Sequence, residues 1–217
     1  LSAAGATVIP VVADLATLEG IDKLAREIDA VGRPVDALLL NAGVGVGGAF
    51  IDNSLEDELR MINLNCTSVV MLAKHVIPKM VARGQGKVLI TASIASTNPA
   101  PYLAVYGATK AFDLQFAEGI RYELKDTGVT VTALQPGATD TEFFDRADMN
   151  DTKLAERKKD DPADVAKAGF DAMMKGKDKV IAASFMSKME GVMGEVLPET
   201  TKAALQARQT KPGTAKH

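Results

Sequence analysis

The chain predicts a single α/β domain on a doubly wound, mostly parallel sheet with helices on both faces. Three observations carry this. Short β-rich runs recur at 7–14 (TVIPVVAD), 35–43 (VDALLLNAG), 86–93 (GKVLITAS) and 128–137 (GVTVTALQPG), with a weaker one at 178–184 (DKVIAAS). The first four are nearly continuously apolar, as strands covered on both faces are. Stretches of helical periodicity separate the runs, and strand–helix alternation builds parallel sheets.

The helices follow in order. Residues 17–31 set Leu18, Ile21, Leu24, Ala25 and Ile28 on one stripe. Residues 54–83 open on Ser54 as N-cap, with Asp57 in the first turn. Residues 106–126 form a third helix stopped by Gly128, and 162–175 a fourth with Pro162 in its first turn. From 185 the chain is Met-rich and then Lys-rich, with Pro212 and Gly213; 205–217 reads as a tail, expected to fray at its end.

Composition narrows the function. The 217 residues suit one domain, and 47% apolar with 24% charged residues is ordinary for a globular chain. A net charge of −3 with scattered Lys and Arg argues against nucleic acid or an anionic membrane as partner. No apolar run reaches the ~18 residues of a membrane span. The single cysteine, Cys66, excludes an internal disulfide, has no metal-ligand spacing around it, and fits a reducing cytosol. A cytoplasmic, metal-free protein is expected. The chain opens on Leu1 rather than Met, as a cut or processed start would.

The stretch LLLNAGVGVGGAF (38–50) spells G-x-G-x-x-G through Gly43, Gly45 and Gly48. A dinucleotide-binding turn runs directly into a helix and wants an acid about 20 residues on. Here the helix starts only near Ser54, and MINLNC (61–66) holds no such acid. The reading is a mobile Gly-rich loop at the end of a strand, where ligands of such sheets bind.

The chemical signal is YGATK. Tyr106 and Lys110 stand four apart on a helix, hence on one face, and Ser93 closes the preceding strand. A phenol with its ordinary pKa of ~10 is a poor base at neutral pH. A neighbouring ammonium lowers that value, so the pair can move protons near neutrality. The Ser93 hydroxyl can hold a substrate oxygen beside the phenol.

With these motifs the chain resembles the short-chain dehydrogenase/reductase family from about residue 7 to 145, and more weakly to 200. Ser93, Tyr106 and Lys110 fit the family's intervals of thirteen and four. Asn65, thirteen before Pro78, matches its helix Asn; Asn63 is the alternative. NAG (Asn41, Ala42, Gly43) and PGATDT, with Pro136, Gly137 and Thr141, match motifs beside the cofactor. Asp14 matches the acid that bonds adenine, although it could merely cap the helix near Thr17.

The resemblance implies a Rossmann-like fold and hydride transfer between NAD or NADP and a small-molecule alcohol or carbonyl. Tyr106 would be the acid/base, Lys110 would lower its pKa and hold the ribose, Ser93 would position substrate, and Asn65 would complete a proton relay. Thr141 would bond the nicotinamide carboxamide. A lid at 142–158 would present Phe143, Phe144 and Met149 to the substrate. A homodimer or homotetramer through the two long helices is implied. Phe112, Leu114, Phe116, Ile120 and Leu124 are also too many apolar residues for one core-facing stripe.

Departures are Leu40 where the family has a second Asn, and Ser68 where it has Gly. The family's first two strands and its T-G-x-x-x-G-x-G turn have no counterpart, so about 40–50 upstream residues are expected. Two rivals stand beside this reading: a catalytically silent or truncated relative acting as a binding module, and an epimerase or dehydratase using the same Tyr–Lys pair. His75 reads as a helix surface or interface residue, ERKKDD (156–161) as a solvated turn, and the methionines Met173, Met174, Met186, Met189 and Met193 as packing.

Overall fold

Four strands lie side by side in chain order: β1 (Ala37–Leu40), β2 (Gly86–Thr91), β3 (Val129–Pro136) and β4 (Lys179–Ala182). All neighbours are parallel, and Leu40, Ile90 and Ala133 stand in one rank. The structure is a computed structural model and describes residues 5–182 and 198–215. Met186, Met189, Met193 and the last two residues of the 178–184 run lie outside the described residues.

The helices start where their caps place them. Thr17 accepts the Gly20 N–H ahead of α1 (Leu18–Ala30), and Ser54 accepts that of Asp57 ahead of α2 (Leu55–Ile62). Such caps satisfy amides that the first turn leaves unpaired. Then come α3 (Ser68–Arg83), α4 (Ala104–Glu123), the short α5 (Phe143–Arg146) and α6 (Lys153–Glu156), α7 (Pro162–Met174) and α8 (Glu199–Thr210).

Alternation along each strand divides the core. Leu38, Leu40, Val88, Ile90, Val129 and Val131 pack on one face with Ile21 of α1, Val69, Leu72, Val76 and Met80 of α3, and Leu114 of α4. Leu89 and Leu134 pack on the other face with Met173 of α7. Each such side chain, fully buried, contributes roughly 1.5–3 kcal/mol.

Four expectations need correction. The run 7–14 is not a strand: Val8, Ile9 and Val12 are 46%, 59% and 86% exposed. Backbone groups of a strand need a paired neighbour, and no described strand pairs with this run. β1 is an edge strand covered on one face only, with Leu39 54% exposed. Leu18 is exposed at the start of its helix instead of joining the apolar stripe. The helix expected at 54–83 is broken by a π-turn, Asn63–Thr67, in which the Ser68 N–H reaches back to Asn63. Within the tail, α8 runs to Thr210, which is buried and donates to the Pro101 carbonyl at 2.6 Å.

Gly128 leads into β3 with φ +78°, and a Cβ there would come within 2.0 Å of the Gly84 carbonyl oxygen. Gly84, the left-handed C-cap of α3, has open space around it. Gly128→Ala should therefore destabilise the protein by about 2 kcal/mol or more, and Gly84→Ala by about 1 kcal/mol, in urea unfolding. Equal losses would show that the close approach is relieved without cost.

Candidate active site

The carboxyl ends of β2 and β3 and the first turns of α4 set the chemistry. Beyond β2, Ser93 is extended and buried; its Oγ accepts the Ala95 N–H at 3.1 Å as it caps the turn Ile94–Thr97. On α4, Tyr106, Lys110 and Asp113 follow at intervals of four and three, so one helix face carries all three. The Lys110 ammonium, 5% exposed, donates to the Thr91 carbonyl at 2.7 Å and to Asp113 Oδ2 at 3.0 Å. The Tyr106 ring lies against Phe143, centroids 5.1 Å apart.

The phenol differs from expectation. Burial pushes Tyr106 up to about 12; the Ser93 hydroxyl pulls the other way, and the Asp113 carboxylate reinforces the rise. The Lys110 ammonium is engaged by Asp113 in the same buried space. Burial likewise raises Asp113 to about 6 against the pull of Lys110. The Cys66 thiol is raised to about 11, first by burial and then by Asp113.

Asn65, fully buried in the π-turn, ties the site together. Its Oδ1 accepts the Val44 N–H at 3.0 Å, and its Nδ2 donates to the Val44 carbonyl at 2.9 Å and to Thr109 Oγ1 at 3.0 Å. Asn63 is exposed. The loop after β1 is thus held rather than free. Gly47 donates to the Ala147 carbonyl at 2.9 Å and Gly48 to that of Tyr102 at 3.0 Å. At Gly45 a Cβ would meet the Phe143 ring at 2.7 Å, so the glycine lets the lid approach.

A cavity of about 1140 Å³ opens here, lined by Asn41, Gly43, Ser93, Tyr106, Lys110, Pro136, Gly137, Thr141, Phe143 and Phe144 among others. Ala42, Asn65, Asp14 and Met149 do not line it. Met149 is instead buried in the lid's own core with Leu103, Phe144 and Ala147. Asp14 is ion-paired with Arg60 at 3.0 Å and accepts the Ala16 N–H, and both hold its carboxyl below the usual range. Thr17, not Asp14, caps the helix.

Other features were missed in the sequence. The 156–161 turn is not simply solvated: Arg157, Lys158 and Asp160 line the cavity, and the Lys159 ammonium lies 4.5 Å from the Phe144 ring centre. The tail anchors the lid, with Gly213 N–H on Asp151 Oδ2 at 2.6 Å and Ala215 N–H on the Asp151 carbonyl at 2.8 Å. Asp113 was also missed; an acid three residues past Lys110 was its only sequence signal. His75 bonds Asp29 at 3.1 Å between α3 and α1. Among the described residues no cluster of His, Cys, Asp and Glu could hold a metal, and no helix is long and apolar enough to cross a membrane.

Known proteins match this architecture. The short chain dehydrogenase family profile matches residues 1–152. The NADP-dependent 3-hydroxy acid dehydrogenase YdfG of Salmonella typhimurium is 34% identical over 141 residues, 64% of this chain and 57% of that protein. Dehydrogenase/reductase SDR family member 7B of Rattus norvegicus is 28% identical over 212 residues, 94% of this chain and 65% of that protein. The chain spans roughly half to two thirds of the length of such curated relatives. Among solved structures, a short-chain dehydrogenase from Sphingobium yanoikuyae in complex with NADPH superposes with a TM-score of 0.78 at 26% identity, over 89% of this chain and 75% of that one. With its parallel sheet, its cavity at the carboxyl ends of the strands and this match, the chain belongs to the short-chain dehydrogenase family.

Proposed function

We propose that the protein interconverts an alcohol and a carbonyl on a small molecule with NAD or NADP as redox partner. One observation carries the reading: the Ser93 hydroxyl, the Tyr106 phenol and the Lys110 ammonium meet on the wall of one large cavity. The NADP dependence in the name of the Salmonella relative and the NADPH in the Sphingobium structure support the cofactor class.

The residues present fit such a cofactor. Two of the three Lys110 donors are used, leaving one for a ribose hydroxyl. Asn41 and Gly43 offer polar backbone at the cavity wall, the bend at Pro136–Gly137 shapes it, and Thr141, on the same wall, would bond the carboxamide. When bound, the nicotinamide supplies or takes up the hydride. Asp14 lies outside the lining, paired with Arg60, and would meet the adenine end of the cofactor.

The chain's own task is orientation and proton movement. Ser93 Oγ accepts from Ala95, and its own hydrogen, here turned to the Tyr106 oxygen, would swing to the substrate oxygen beside it. Tyr106 gives its proton to that oxygen in carbonyl reduction and takes one in alcohol oxidation. Every polar atom of the Asn65 side chain is engaged, so Asn65 serves the proton relay through the π-turn backbone it stabilises. Phe143 and Phe144 give the lid an apolar inner surface over the substrate, closing out water. Exposed Leu55, Leu59, Ile62 and Val70, with Phe112 and Tyr122 on α4, support association into a homodimer or homotetramer in the cytoplasm.

Tyr106→Phe should lower turnover by at least ~100-fold with the fold retained, because ring packing is kept and only the proton carrier is lost. Near-normal turnover by the folded variant refutes the assignment. The pH dependence has a definite sign: a phenol held near 12 stays protonated at neutral pH. Carbonyl reduction should therefore be flat between about pH 6 and 8, while alcohol oxidation climbs with pH toward about 12. Light scattering at micromolar concentration should show two or four copies; a monomer contradicts the oligomer.

A further inference from the structure

Gly45, Gly47 and Gly48, from the run that spells a dinucleotide turn, take no part in the chemistry described so far. What they touch is the segment proposed as the lid. Gly45 is buried, and a Cβ on it would stand 2.7 Å from Cζ and 2.9 Å from Cε2 of the Phe143 ring. On Gly47 a Cβ would stand 2.7 Å from the Ala147 carbonyl oxygen and 2.7 Å from Met149 Cγ. The Gly47 N–H donates to that same carbonyl at 2.9 Å. A side chain cannot approach its neighbours so closely, so both contacts require bare backbone.

The loop is itself fixed from behind. Asn65 holds both polar groups of the Val44 backbone, and the Gly48 N–H donates to the Tyr102 carbonyl at 3.0 Å. Asn53 Oδ1 fills the space that a Gly48 Cβ would need, and Asn53 donates to the buried Glu58 at 2.8 Å. A floor held this way can locate whatever lies on it. The two glycines locate different things: Gly47 meets lid backbone, whereas Gly45 meets the far end of one side chain. That side chain, Phe143, lies against the Tyr106 ring with centroids 5.1 Å apart, and both residues line the cavity.

We propose that this glycine run is the seat of the lid: Gly47 receives its backbone, and Gly45 is a positioning residue that admits the Phe143 ring to the wall beside the Tyr106 phenol. Gly45 thereby sets, through Phe143, how wide a group the reacting carbonyl can carry on that side. The specificity rests on the reading of the cavity as the site of carbonyl reduction, but the seat can be measured without substrate or cofactor. Neither Gly45 nor Gly47 has a left-handed φ, so alanine there tests the contact and not the backbone conformation.

The seat is tested by amide hydrogen exchange in the full chain. Gly47→Ala must lift lid backbone, so exchange over residues 142–152 should rise at least ~10-fold while β2 and β3 keep their protection. Gly45→Ala displaces only a ring, so exchange over the same residues should stay within about 3-fold of wild type. Unchanged exchange in Gly47→Ala overturns the seat. If Gly47→Ala does not fold, the Gly45 arm decides, because a ring can swing where backbone cannot. That arm is read as kcat/KM with NADPH and NADH on two ketones, 2-butanone and benzophenone. Phe143→Ala should raise the benzophenone preference at least ~10-fold, and Gly45→Ala should change it by at least ~5-fold. In the Phe143→Ala background Gly45→Ala has no ring to push, so its effect there should shrink to less than about 2-fold. An equal effect of Gly45→Ala in both backgrounds overturns the positioning role. If exchange behaves as stated while the wild-type chain reduces neither ketone, the seat stands and the reading of the cavity as a site of ketone reduction fails.

Discussion

The architecture around the cavity depends on one side chain that never reaches it. Asn65 binds both polar groups of the Val44 backbone and the hydroxyl of Thr109, and so joins the loop after β1, the π-turn and α4. A fully buried amide costs energy unless all its groups are matched, and here they are. The π-turn is the backbone's accommodation: a wider turn brings Asn65 inward between two ordinary helices, as such bulges commonly do at functional sites. Thr109 extends the link, since its hydroxyl donates to the Tyr106 carbonyl at 2.8 Å.

Much of this was legible in the sequence, and the reasons are physical. Strand and helix periodicities follow from side-chain direction, so β2, β3, α1 and α7 fall within a few residues of their expected bounds. Ser93, Tyr106 and Lys110 were readable because one helix turn and one strand end fix their spacing, and they line one cavity. Long-range partnership is what the sequence hides. Nothing local says that residues 7–14 would find no strand to pair with, or that 199–210 would form a helix held by Pro101 and Asp151. The direction of the Tyr106 shift failed for the same reason. Two residues suggested an ammonium acting on a phenol, whereas burial and a third residue, Asp113, decide it.

The lid proposed above, residues 142–158, is held by separate pieces that meet only in three dimensions. Its core joins Leu103, at the foot of α4, to Phe144, Ala147 and Met149. The glycine loop supplies its floor and the segment after α8 its outer fastening. Few of these contacts involve the sheet, so this segment has its own small apolar cluster beside those on the two faces of the sheet. Segments with little buried area open at lower free energy than a core does.

That division has a meaning for how such a protein changes over time. Tyr106, Lys110 and Asp113 ride on a single helix of twenty residues, whose repeat fixes their mutual distances as rigidly as a printed scale. Residues 142–158 hang from the end of β3 and share no element with them. Substitutions in the lid can reshape what fits the cavity while the helix-borne groups keep their spacing. Evolution, or a laboratory library, can therefore vary the shape of the molecule that is received without retuning the groups that receive it.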